Sequence, residues 1–170
     1  MKRLILAVFA VSALALWTAS AFAAAPSVEQ ISTGFTLSSL TCSELPAGTT
    51  IEGTGTGVSV TSESTDANGV TTVMNTTHIA GTATDQAGNT YRFNYSNHYQ
   101  ISNTGPTDPV LSGIMVDSFS LAGNGPAQLS NGFRAVFAID FSDGGVSFEE
   151  LSSRGDPIEF ATGAPHCDPL

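Results

Sequence analysis

Beyond residue 25 the chain alternates apolar and polar residues with a period of two, and no stretch keeps a helical period. The clearest case is 90–101, where Tyr91, Phe93, Tyr95, Tyr99 and Ile101 alternate with Arg92, Asn94, Ser96, His98 and Gln100; Asn97 is the one polar residue on the apolar side. Residues 133–141 repeat the pattern, with Phe133, Ala135, Phe137, Ile139 and Phe141 expected inward and Arg134 and Asp140 outward. Further strands are expected over 31–40, 50–62, 70–83, 110–121 and 146–151, with a short element at 157–160. In 110–121 both faces are partly apolar, Ile114 and Val116 on one and Met115, Phe119 and Leu121 on the other, which predicts a mid-sheet strand packed on two sides. Gly53, Gly55 and Gly57 share one face of 50–62, where missing side chains allow close approach of another layer or sharp curvature.

Turn chemistry separates these segments: Asp66-Ala-Asn-Gly69, Asp85-Gln-Ala-Gly-Asn89, the Pro106/Pro109 stretch, a Gly/Pro/Asn loop at 122–131 and Ser142-Asp-Gly-Gly145. Seven or eight strands joined in succession by short turns predict an all-β antiparallel meander. Strands of ten or more residues favour a closed or nearly closed β-barrel, with a β-sandwich as the alternative.

Residues 1–25 change the setting. Lys2 and Arg3 precede an apolar run over 4–17, and Ala21-Phe-Ala23 offers a small-x-small cleavage pattern, so 1–23 is expected to be a signal peptide and 24–170 a single β domain. The apolar run is too short for a spanning helix. The mature domain is expected to be secreted, or alternatively periplasmic, and not to stay in a membrane. Cleavage takes away Lys2 and Arg3, which moves the formal charge from −10 to −12 and leaves Arg92, Arg134 and Arg154. Three scattered arginines make no basic stripe, which argues against nucleic acid as a partner. Cys42 and Cys167 are the two cysteines, and in an oxidising compartment they are expected to form a disulfide between the two ends of the domain.

Candidate chemistry is sparse. Gly53-Thr-Gly-Thr-Gly57 lies inside an expected strand and lacks the helix and lysine of a phosphate loop. His78 and His98 would share a face on adjacent strands, two residues apart diagonally, without a third ligand in register. Asp140, Asp143, Glu149 and Glu150 flank a turn without calcium-loop spacing. No metal and no cofactor is called for. Arg154-Gly-Asp156 matches a tripeptide read by integrins, and Asn75-Thr-Thr77 and Asn94-Tyr-Ser96 match the glycosylation acceptor pattern. Asp117 is the residue to watch, because it shares a face with Met115 and Phe119 and would point inward, where it needs a partner. Arg92 and Arg134 are the cations available to it.

The run from Thr65 to Asn94, the segment Phe119-Ser-Leu-Ala-Gly-Asn-Gly-Pro126 and the near-terminal cysteine are similar to a group of small bacterial secreted β proteins with no family function known. The resemblance implies a compact β fold and export, and supplies no catalytic residue. In architecture alone, a small antiparallel barrel resembles lipocalin-like carriers and the dirigent and allene-oxide-cyclase proteins. The expectation is a non-catalytic binding or carrier module for a small apolar or aromatic molecule, with Asp117, Met115, Phe119 and Tyr95 as candidate ligand contacts. The alternatives are a non-covalent cyclase- or isomerase-like enzyme, which would need an inward pair such as Asp117 with an arginine, and a structural or surface-interaction protein.

Overall fold

Seven strands follow one another in sequence and in space: β1 (Ser27–Ser38), β2 (Thr50–Thr65), β3 (Thr71–Asp85), β4 (Thr90–Asn103), β5 (Val110–Gly123), β6 (Leu129–Asp140) and β7 (Gly145–Arg154). Each pairs antiparallel with the next in a single seven-stranded sheet, and β8 (Ile158–Glu159) and β9 (His166–Cys167) form a separate two-stranded ribbon. These come from a computed structural model that describes residues 23–105, 107–142, 145–155, 158–159 and 166–167; the signal segment before Ala23 lies outside the described residues. Among the described residues there is no helix, and β1 does not pair with β7. The meander is therefore as expected, while the edges of the sheet are not hydrogen-bonded to each other.

Three expectations need correction. Residues 122–131 are not all loop: β6 begins at Leu129, which pairs with Leu121 and is buried, because the Gly125-Pro126 turn is tight enough to return the chain at once. Phe141 does not point inward; it is 65 % exposed, in a turn where Asp140 Oδ1 accepts from Ser142 N and Oγ at 2.8 and 2.5 Å. The outer side of β5 is not covered, since Val116 is 42 % exposed.

Register sorts the side chains. From β1 to β6 every pairing joins odd to odd and even to even positions, for example Gly57 to Ile79, Ile79 to Tyr95, Tyr95 to Phe119 and Phe119 to Asn131. One face of the sheet thus carries all the odd positions, and a bulge after Arg134 shifts the register only at β7. The core lies on the odd face: Phe35, Leu37, Ile51, Ile79, Tyr91, Phe93, Tyr95, Phe119, Leu121 and Leu129 form one buried cluster.

This face is strongly concave. Strands in a sheet lie about 4.8 Å apart, so Phe35 on β1 and Phe119 on β5 would sit roughly 19 Å apart if the sheet were flat. Their ring centroids are 6.0 Å apart, and Phe35 also meets Phe93 edge-on at 4.8 Å. The period-two glycines make this possible. A Cβ on Gly53 would lie 2.3 Å from Cζ of Phe35, and one on Gly55 2.5 Å from Cζ of Phe93, so the rings fill the trench where side chains are missing. Burying rings of this kind contributes about 2–3 kcal/mol each.

One end of the concavity is plugged. The 39–49 loop folds back through Cys42 N to Ser38 O (2.8 Å) and Ser39 N to Thr49 O (2.9 Å), and it buries Cys42, Leu45 and Thr49. Its Glu44 accepts from Asn131 Nδ2 on β6, spanning from the end of β1 to the far side of the sheet. At the other end the inward residues Val73, Tyr99, Ile101, Met115, Phe133, Phe137 and Ile139 are only half-buried.

Candidate functional site

Between the plugged, apolar end and the half-buried end, the inner face turns polar. Ser59, Thr77, Asn97 and Asp117 form one cross-strand row over β2 to β5, each directly opposite the next, with Thr61 and Asn75 in the row beside it. Asn75 is buried and uses both amide protons, donating to Ser59 Oγ and Thr61 Oγ1 at 2.8 Å each. Thr77 Oγ1 donates to Asn75 Oδ1 (3.1 Å) and lies 3.0 Å from Ser59 Oγ. On β4 and β5, Asp117 Oδ2 accepts from the Tyr95 hydroxyl at 2.9 Å and from Asn97 Nδ2 at 3.2 Å. Asp117 is 8 % exposed, a carboxylate removed from water and held by neutral donors.

The inward Asp117 is thus where its alternation put it, and Tyr95 is brought to it. Arg92 and Arg134 are not its partners: both stand at even positions and are exposed on the opposite face. The other two candidates divide. Met115 sits half-buried on the inner face, directly opposite Tyr99 and Ala135, one row beyond Asp117 toward the less covered end. Phe119 is buried at the other side of Asp117 and stacks on Phe93 (5.9 Å, 21°), so it belongs to the core under the site. Burial pushes the Tyr99 phenol above its ordinary value.

Sequence reasoning missed Ser59, Thr61, Asn75 and Thr77. Their signal was available in the shared parity with Gly53, Gly55 and Gly57, whose face proves to be the inner one.

The remaining candidates lie elsewhere. His78 and His98 do share the outer face, diagonally across the Thr76–His98 pair, both exposed, with His98 Nδ1 3.0 Å from Thr76 Oγ1. Among the described residues no group of three or more His, Cys, Asp or Glu is placed to hold a metal ion. The Gly53 to Gly57 run is inside β2. Asp156 and Asp143 lie outside the described residues, while Arg154 Nε donates to Ser130 O at 2.6 Å. Of the two acceptor asparagines, Asn94 is exposed on the outer face and Asn75 is buried in the polar row. An open depression of about 510 Å³ lies on the outer side of β3 to β5, where Arg92 stands between Thr82 and Ala122, facing away from Asp117. Cys42 is fully buried in the plug and disulfide-bonded; the side chain of Cys167 lies outside the described residues, although β9 runs beside β1.

No family model matches the chain, and neither the curated proteins nor the solved structures contain a match to it.

Proposed function

We propose that the curled sheet works as a nearly closed β-barrel, exported after cleavage at Ala23 and fastened by a Cys42–Cys167 disulfide, and that its interior binds a small amphipathic molecule without transforming it. The observation that carries this reading is the contrast between the two ends of the inner face. One end is plugged and filled by Phe35, Phe93 and Phe119. The other presents half-buried Tyr99, Ile101, Met115 and Phe137 above a buried carboxylate and its amide and hydroxyl donors. Apolar walls with a few convergent polar groups are the usual composition of a small-molecule site. The walls would take the apolar or aromatic body of the ligand, and the Asp117 row would fix its polar end. A cyclase- or isomerase-like role has less support, because the arginines that would pair with an inward acid stand on the outer face.

The test is titration of the mature protein with a neutral apolar fluorophore such as N-phenyl-1-naphthylamine, alongside native mass spectrometry. Saturable one-to-one binding, weakened when Met115→Trp fills the half-buried end, is the expected result. A linear, unsaturated signal identical in both proteins would mean a filled interior and a structural role instead.

A further inference from the structure

The register separates charge between the two faces of the sheet. Arg92 opposes Thr82 and Ala122, Arg134 opposes Val116, and Arg154 opposes Gly132, all in even-numbered rows on the outer face. His78 and His98 stand on that face too. Among the described residues every arginine and histidine is therefore outside. The inner face carries the opposite sign. Asp117 lies buried in the row that runs from Glu29 on β1 through Ser59, Thr77 and Asn97, and Glu150 on β7 occupies the neighbouring row with Met115, Tyr99 and Asn75. The shift of register after Arg134 is what turns Glu150 inward: without the bulge the residue opposite Ala135 would be Leu151.

Resting on the binding reading above, we infer that the ligand of this interior is a small organic cation, an ammonium carried on an aromatic or aliphatic body. Three features converge on that chemistry. The Tyr95 hydroxyl and the Asn97 amide hold the Asp117 carboxylate by hydrogen bonds but leave its charge uncompensated. In a site shielded from water a carboxylate gains far more from an adjacent cation than it would at the surface. Tyr99 and Met115, directly opposite each other and one row from Asp117, supply an aromatic face and a polarisable sulfur, both of which suit a cation and its hydrocarbon body. Glu29 and Glu150 are exposed on the two edge strands, so an approach between the edges passes two further carboxylates that attract cations and repel anions. A neutral ligand would use the walls alone, and an anion would meet carboxylates at the edges and at the floor.

The inference is tested on the wild-type mature protein with three ligands of one shape: 2-phenylethylammonium, 2-phenylethanol and 3-phenylpropanoate, each displacing the neutral fluorophore. The ammonium should bind about tenfold more tightly than the alcohol, the carboxylate should be weakest, and added salt should narrow the order. Asp117→Asn should bring the ammonium to the affinity of the alcohol. If the alcohol or the carboxylate equals the ammonium in the wild-type protein, the cation inference is wrong while the binding reading stands. If neither the fluorophore nor any of the three ligands binds, both fall. The wild-type order decides the matter without the variant, should Asp117→Asn fail to fold.

Discussion

Tyr95 does two jobs at the residue scale, and a single atom separates them. Its ring is buried in the core cluster, and its hydroxyl reaches the buried Asp117 carboxylate. Tyr95→Phe keeps the ring and removes one donor from a charged acceptor. Hydrogen bonds to charged groups are worth about 1.5–3 kcal/mol, so the urea midpoint should fall by that much free energy with the slope unchanged. A midpoint equal to wild type would show that Asp117 does not depend on this donor. Gly55→Ala tests the trench instead: its Cβ would lie 2.5 Å from the Phe93 ring and 2.7 Å from the backbone oxygen of Ala80, a pair that cannot both yield. A loss of about 1–3 kcal/mol is expected from overpacking of this kind, read in the same denaturation experiment. Asp117 and Asn97 were legible in the sequence because each interrupts an otherwise apolar odd-numbered face. Ser59 and Thr77 were not, because β2 and β3 carry Ser and Thr on both faces and alternation there has no contrast.

Two hairpin ends show how much one turn element can carry. Asp66 and Asp85 start turns of the same form, with Gly69 and Gly88 at φ of 82° and 84° and the first residue bonded to the fifth (Asp66 N to Val70 O, Asp85 N to Asn89 O). In both, one carboxylate oxygen accepts two backbone N–H groups. Asp85 adds a link that Asp66 lacks: its Oδ2 accepts the Asn89 amide (2.8 Å) and the Tyr91 hydroxyl (2.9 Å), tying the turn to the core through a buried ring. Asp85→Ala should therefore lower the melting temperature more than Asp66→Ala, and equal shifts would mean the Tyr91 link adds nothing. The link also has a pH signature. The Asn89 side-chain hydrogen bond, with the Asn89 and Ala87 backbone and the Tyr91 hydroxyl, holds the Asp85 carboxyl below its ordinary range against the opposing effect of burial. A depressed carboxyl stabilises the fold above its unfolded pKa of about 4, and that contribution is lost as pH falls through the folded value. Burial, then the Asp85 contact, raises the Tyr91 phenol. A raised phenol contributes below an unfolded value of about 10, and its contribution is lost as pH rises beyond that. Stability against pH should thus fall at both extremes, and Tyr91→Phe should flatten the alkaline limb. The turns were legible in the sequence because Asp-x-x-Gly has a local cause. The start of β6 was not, because Leu129 joins the sheet through its partner Leu121, which no local pattern around Asn124 and Pro126 announces.

For the whole molecule, the decisive quantity is curvature. It was legible only as a hint in the period-two glycines, since it depends on which rings enter the trench, and Phe35, Phe93 and Phe119 come from three different strands. A sheet curled this far brings β1 and β7 round without pairing them, and unpaired edges are where such a fold opens. The proposed Cys42–Cys167 bridge acts at that seam, because Cys42 is in the plug after β1 and β9 follows β7 and runs beside β1. Closing 125 residues of chain stabilises the fold by about 4–5 kcal/mol in the chain-entropy model. Cys42 is fully buried, so reductant should act slowly on the native protein and quickly in urea. Three observations follow from this arrangement. The oxidised mass should lie two hydrogens below the reduced one. Reduction should lower the unfolding free energy by up to that amount, and amide exchange should rise first in β1 and β7 while β3 and β4, at the centre of the sheet, stay protected. Thiol labelling of the unreduced protein in denaturant would refute the bridge. Uniform loss of protection across all seven strands would place the weakness of the fold somewhere other than the seam.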